Sequence, residues 1–355
     1  MGKLSALPPD PKIRFDSEAF ALINEADKLL YQLEGAINAL PENHFVLPML
    51  TLLEAYYSYL VDDRKHSGRD ISDLFLPAGV SELNLQSDYV SSISLAQKLL
   101  RDVSSSSHII KSIHKRITGG ENSSGIFREE RLVVRHYSED SSRAGYEAPS
   151  PEDIPTLMKD LESYISSNVS YPVVVNAALV HGQFEMIHPF SGGNGLVGRI
   201  LVQIHLIWKK RLVAPALLIS EQFYKRRAEY FDRLEDLEKN GTWEAWVKYF
   251  LHIIIDSAVR TNTLIKKSSS LERKDYNKIL QKEMVSSASL KLFDLLLRNP
   301  VVSLSSVTKE LVLNKQTANV LLSKFLEEKI LEEITGQKRN RLFAYKEYLD
   351  ILKSS

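Results

Sequence analysis

One stretch of this chain, His188-Pro189-Phe190-Ser191-Gly192-Gly193-Asn194-Gly195-Leu196-Val197-Gly198-Arg199, places a base beside a turn built for anions. The Gly-Gly-Asn-Gly turn runs into the apolar segment Leu196 to Trp208, which has helical length, so the stretch reads as a loop opening a helix. Glycines let a backbone adopt positive φ and approach a ligand closely. The first N–H groups of the following helix lack intrahelical acceptors and carry the positive end of its dipole. A phosphate suits such a cradle. His188 stands just upstream, and imidazole, with an unperturbed pKa of roughly 6.5, suits proton transfer near neutral pH.

The elements that must position these groups are mostly helices. Val173 to Ile187 reads as the helix that delivers His188; on it His181 is a packed or capping histidine and Glu185 a structural acid. Pro155 to Ser167 reads as an amphipathic helix, and Ile109, Ile110 and Ile113 mark a short one. Residues 1 to 15 are proline-rich and extended. From Phe20, the apolar positions Leu22, Ala26, Leu29, Leu30 and Leu33, and then Leu47 to Val61, predict a helical layer over the first hundred residues. Leu132-Val133-Val134, the turn cluster Ser138 to Arg143 and the run Gly145 to Pro149 predict a hairpin. Glu221 to Asn240 reads as one charged helix stopped by Gly241. Trp243, Trp246, Phe250, Leu251 and Ile254 then form a core stripe on a helix through about Arg260.

Beyond a polar helix or linker at Lys266 to Lys282, a second unit begins. Helices at Leu290 to Leu297, Ser305 to Leu311 and Lys315 to Lys329 are followed by a strand at Ile330 to Glu333, a basic turn, and a strand at Arg341 to Tyr345. That is the layout of a winged helix-turn-helix, in which Lys338, Arg339 and Arg341 would touch phosphates if the partner is DNA; winged helices also dock proteins.

The 355 residues suffice for about two domains. The formal net charge is zero, so no global field draws the chain to nucleic acid or a membrane surface. Without cysteine, disulfides and thiolate zinc sites are excluded, which fits a reducing compartment. No apolar run reaches the roughly 18 residues of a membrane span. These features predict a soluble, cytoplasmic protein.

The stretch at 188 to 199 resembles the signature of the Fic (fido) family, His-x-Phe-x-(Asp or Glu)-(Gly or Ala)-Asn-Gly-Arg-x-x-Arg. His188, Phe190, Gly193, Asn194, Gly195 and Arg199 match in register, whereas Gly192 and Leu196 depart from it. Further similarity lies in Gly125-Ile126-Phe127-Arg128, Pro149-Ser150-Pro151, Val180 to Glu185, Ser220 to Tyr224, Arg227 to Tyr230 and Gly241 to Trp246, so that the resemblance covers about residues 8 to 265. It implies a mainly α fold: an N-terminal helical region (1–105), a Fic core with a β-hairpin flap (106–265), a linker (266–285) and the winged helix (286–355).

The activity implied is transfer of AMP from ATP to a Tyr, Ser or Thr hydroxyl of a protein target, itself included. His188 would be the base, with Gly193, Asn194 and Gly195 on the α- and β-phosphates, Arg199 on the terminal phosphates and Phe190 as anchor of the loop. Glu54 to Asp63 is similar to the family's inhibitory helix, which implies that Ser58 and Asp62 obstruct the nucleotide through Arg199, with Asp62 in place of the usual glutamate. Gly192 occupies the position of the acid that holds magnesium in the family, and Leu196 that of the first arginine. The metal would therefore rest on phosphates and water, with no protein ligand. Two other readings stay open: a degenerate nucleotide-binding regulator acting through its winged helix, and a transferase with another nucleotide donor. The resemblance is compatible with a homodimer.

Overall fold

The structure, a computed structural model, describes residues 4, 6–10, 12–42, 44–62, 71–76, 85–102, 106–119, 125–134, 146–167, 171–281, 285–337 and 339–354. The Ser138 to Arg143 turn and Lys338 lie outside them. The chain divides into two units, Met1–Pro41 with Leu50–Lys65 and Leu85–Thr261, and Glu42–Met49 with His66–Asn84 and Asn262–Ser355. Among the described residues no helix is long and apolar enough to cross a membrane.

The first unit is built on two antiparallel-connected core helices, α6 (Val173–Ile187) and α7 (Asn194–Trp208), which pack on each other. Every residue of α6 from Val174 to Ile187 is buried, the mark of a helix enclosed on all sides. Around the pair lie α1 (Ser17–Asn38), α2 (Val46–Asp62), α3 (Leu85–Asp102), α4 (Ser106–Ile117), α5 (Ile154–Ser166), α8 (Ile219–Lys225) and α9 (Arg227–Asn240). α1 starts where Asp16 accepts a hydrogen bond from the Ala19 N–H at 2.9 Å, and it buries Ala19, Ile23, Ala26, Leu30, Leu33 and Ile37 at helical spacing. Two short strands, β1 (Val133–Val134) and β2 (Tyr146–Glu147), pair antiparallel as the predicted hairpin.

The helix expected over Glu221 to Asn240 is two helices. Arg226 leaves the helical region (φ −109°, ψ 35°) and pairs its guanidinium with Asp256, while α8 is held in the core by Glu221, whose carboxylate accepts from Arg260 at 3.1 Å and Lys225 at 2.8 Å. Gly241, at φ 65°, ends α9 as expected. The aromatic stripe is core: Trp246 is fully buried, donates Nε1–H to the Ala178 carbonyl at 2.8 Å and stacks with His181 at 6.0 Å between centroids. His181 is itself buried, with Nε2 3.0 Å from the Tyr230 hydroxyl, and burial together with the Arg199 charge pushes its pKa down to about 3. It is a neutral packing group.

Residues 266 to 281 are the last turns of α10 (Trp243–Gln281). In the second unit α11 (Ser287–Arg298) leads to β3 (Val301–Ser303), α12 (Leu304–Leu311), α13 (Lys315–Glu327), β4 (Glu332–Glu333), β5 (Leu342–Ala344) and α14 (Lys346–Lys353), with the sheet in the antiparallel order β3-β5-β4. Helix starts are capped by Ser286, by a Ser303–Ser306 capping box and by Asn314. The three predicted helices and two predicted strands are present, joined by β3 and α14, which their short apolar runs did not announce. Between β4 and β5, Arg339 is exposed, whereas Arg341 lies 3.7 Å from Glu333 and 4.9 Å over the Phe343 ring.

Candidate active site

α6 stops at His188, which takes a left-handed conformation (φ 47°, ψ 60°) and donates its N–H to the Phe184 carbonyl at 3.0 Å. A non-glycine residue there is strained by about 1 kcal/mol or more, so surrounding contacts must hold it. The loop that follows is tied on every side. Phe190 is fully buried and stacks on His114 of α4, centroids 3.8 Å apart and rings 9° from parallel. His114 accepts the Gly125 N–H on Nδ1 at 2.9 Å, so its proton sits on Nε2 and is donated to the Gly192 carbonyl at 3.0 Å. Burial lowers the pKa of His114, which favours this neutral form.

Asn194 closes the loop from within. Its Nδ2–H donates to the Phe190 carbonyl at 2.8 Å, and its Oδ1 accepts the Phe190 N–H at 3.0 Å. With both amide ends so engaged, the side chain braces the loop, and the backbone N–H of Asn194 lies at the start of α7. Gly193, at φ 72°, turns the chain into α7. The first-turn N–H groups of Asn194, Gly195 and Leu196 then form the end of the helix that attracts anions.

An anionic side chain already lies over that end. A Cβ placed on Gly195 would be 2.8 Å from both carboxylate oxygens of Asp62 and 2.9 Å from Arg199 Nη1, so only glycine admits this approach. Arg199 is fully buried. It donates Nη2–H to Asp62 Oδ2 at 2.8 Å, Nη1–H to Asp62 Oδ1 at 3.2 Å, Nε–H to Ser58 Oγ at 2.7 Å and Nη2–H to the Ser58 carbonyl at 2.8 Å. Burial works against the guanidinium charge, but the Asp62 charge and hydrogen bonds outweigh it, and the pKa stays above its ordinary value. Ser58 and Asp62 are one turn apart on α2, so both reach the same arginine.

Two buried acids flank this pair. Glu54, a further turn up α2, accepts from the Ser220 N–H at 3.0 Å and its hydroxyl at 2.5 Å, yet burial raises its pKa to about 7. Glu185 on α6 is raised to about 8 by burial, partly countered by Arg199. Its Oε1 faces Gly198 so closely that a Cβ there would collide with it. Near neutral pH Glu185 is therefore mostly a neutral acid.

Magnesium, which the resemblance implies, does not fit these residues. Gly192 offers no carboxylate, although nothing lies within 4 Å of where its Cβ would be, and Asp62 turns both oxygens to Arg199. Among the described residues no group of three His, Cys, Asp or Glu could hold a metal. Leu196 is buried and adds no charge. Thus the structure brings together His188, Phe190, Gly193, Asn194, Gly195, Arg199, Ser58 and Asp62 in one unit; Arg339 and Arg341 belong to the other. Sequence reasoning missed His114, Arg128 and Tyr146, which hold the loop through backbone carbonyls; Arg128 was visible only as part of the Gly125-Ile126-Phe127-Arg128 resemblance.

Residues 104–206 match the Fic/DOC family. The chain is 30% identical over 156 residues to the protein adenylyltransferase Fic of Aedes aegypti, a match covering 43% of this chain and 27% of that protein. It is also 30% identical over 98 residues to a probable protein adenylyltransferase of Aquifex aeolicus (strain VF5), covering 28% of each. The matches thus span just over a quarter of the length of these two curated relatives. Among solved structures, a Fic family protein from Desulfovibrio desulfuricans G20 superposes with a TM-score of 0.57 at 15% identity, over 94% of this chain and 97% of that one. A Fic-domain signaling protein from Bacteroides thetaiotaomicron VPI-5482 gives 0.50 at 18% identity, over 68% and 97%. These structural likenesses concern the fold.

Proposed function

The chain belongs to the Fic family, and from that premise we propose that it is a protein adenylyltransferase held in check by its own α2. The reading is supported above all by Asp62, whose carboxylate lies on Gly195 and grips Arg199 where a nucleotide phosphate would sit. In the proposed reaction, His188 takes the proton of a Tyr, Ser or Thr hydroxyl on the target. The oxygen attacks the α-phosphorus of ATP, the bond from the α-phosphorus to the bridging oxygen breaks, and pyrophosphate leaves. The N–H groups of Asn194, Gly195 and Leu196 hold the α- and β-phosphates, and Arg199 neutralises the terminal ones once Asp62 moves away.

Asp62 is one methylene shorter than the family's glutamate, yet it reaches Arg199 with both oxygens at 2.8 and 3.2 Å. The shorter side chain is therefore long enough for the lock. With Leu196 in place of an arginine, fewer cations grip the terminal phosphates, so nucleotides other than ATP belong in the test. The rival reading, a nucleotide-binding regulator that works through the second unit on DNA or a docked protein, has weaker support: Arg341 is already drawn to Glu333. Incubation of the protein with α-labelled ATP and a cell lysate tests the proposal, with other nucleotides as competitors. Label on protein that disappears in His188→Ala supports it; label independent of His188 sinks it.

A further inference from the structure

The last turn of any helix leaves carbonyls without intrahelical donors. At the end of α6 these carbonyls are met by the flap. Tyr146 of β2, buried, donates its hydroxyl to the Glu185 carbonyl at 2.7 Å. Arg128 donates Nε–H to the His188 carbonyl at 2.9 Å, and its own backbone N–H to the Pro189 carbonyl at 2.9 Å. The same guanidinium reaches both feet of the hairpin: Nη1–H goes to the Glu130 carbonyl at 2.8 Å, before β1, and Nη2–H to the Pro149 carbonyl at 2.6 Å, after β2.

Arg128 is only 4% exposed. Burying a guanidinium is costly unless its donors are used, and here they are used on three carbonyls of three separate segments. One of these is the carbonyl of the residue held in the left-handed conformation, which does not persist without outside support. A lysine has one donor group and no planar fork, so it cannot serve all three carbonyls in this geometry.

We propose that Arg128, assisted by Tyr146, is the positioning residue of the transfer site: it fixes the His188 backbone and fastens it to both feet of the flap, so that the hairpin and the base keep one alignment. This rests on the reading of His188 as the base.

The test compares Arg128→Lys, Arg128→Met and Tyr146→Phe in the full chain carrying Asp62→Gly. Three quantities are read: the NMR signal of the His188 ring Cε1–Hε1, assigned by its loss in His188→Ala; the affinity for ATP; and kcat for label transfer. The proposal expects the Arg128 variants to displace the His188 ring signal together with the amide signals of Val133, Val134 and Glu147. ATP affinity should stay within about twofold while kcat falls about tenfold or more. Tyr146→Phe should move the same signals with a smaller fall.

Folded Arg128→Lys and Tyr146→Phe proteins, with unmoved Trp indole signals, whose His188 signal and kcat match the parent would overturn the proposal. So would Arg128→Met weakening ATP binding as much as it lowers kcat, which marks general damage to the site. If the Asp62→Gly parent itself transfers no label from any nucleotide, the enzymatic reading falls. The ring signal then decides the positioning claim alone, a displaced signal sustaining it and an unmoved one refuting it.

Discussion

Replacing Asp62 by asparagine keeps the size of the side chain and removes its charge, which isolates the contact with Arg199. The arginine side chain is fully buried while that of Asp62 is 38% exposed. A pair of this kind falls between exposed bridges, worth about 0–1 kcal/mol, and fully buried ones, whose breaking costs about 3–5 kcal/mol. Solvent at the carboxylate screens it, and about 1–2 kcal/mol is a fair magnitude for the loss. Nucleotide-free Asp62→Asn protein should therefore unfold more easily than wild type by that amount. A phosphate that settles on Gly195 and Arg199 must first displace Asp62 in wild type, and in the variant it need not. By the same energy, ATP should bind the variant about 5- to 30-fold more tightly. Isothermal titration calorimetry reads the affinity, and urea unfolding with and without ATP reads the stability, with saturating ATP stabilising the variant more than the wild type. Equal or weaker ATP binding by the variant would refute the reasoning, since Asp62 would then not occupy the phosphate position.

Other outcomes follow from the same geometry. Gly192→Asp meets no atom within 4 Å of the new Cβ, so stability should change by less than about 0.5 kcal/mol, while the magnesium concentration for half-maximal transfer should drop as a carboxylate becomes available; an unchanged magnesium titration would count against the assignment of this position. Burial pushes Glu185 up to about 8 in the folded state against an ordinary 4.5, so the folded state keeps a proton that the unfolded chain has released. Its contribution makes stability fall as pH rises between these values, by up to about 1.4 kcal/mol per pH unit. Glu185→Gln should accordingly gain on wild type as urea unfolding is repeated from pH 5 to pH 8, and parallel curves would be the contrary result. Asn194→Ala removes both hydrogen bonds that close the loop on Phe190 and should lower stability by about 2 kcal/mol, measured by denaturation without nucleotide; a neutral effect would return the side chain to a purely ligand-binding role.

The parts of the molecule legible in the sequence are those governed by local pattern. The turn at Gly193, the helix behind it and the hairpin strands each follow from a few neighbouring residues. The break at Arg226 was not legible, because the charge pattern of 221 to 240 suits one helix. What divides it is tertiary, the fixing of Glu221 by Arg260 and the pairing of Arg226 with Asp256. β3 was too short for alternation to show. In the candidate site, Asp62 and Arg199 stand far apart in sequence, and only a family resemblance set them side by side. Arg128, His114 and Tyr146 act on the main-chain carbonyls of His188, Gly192 and Glu185. Every residue has a carbonyl, so no side-chain spacing announces such contacts. Asn194 is similar: its place in the signature suggested a ligand, while its amide proves to brace the loop.

The most direct test of the central claim is intact-protein mass spectrometry after incubation with ATP, alongside parallel reactions with α- and γ-labelled ATP, for wild type, Asp62→Gly and Asp62→Gly combined with His188→Ala. The account predicts addition of one AMP unit, carried by the α label and absent with the γ label, faint in wild type, strong in Asp62→Gly and lost in the double variant. Folded Asp62→Gly protein that gains no AMP and places none on lysate proteins, or that labels no faster than wild type, would contradict it.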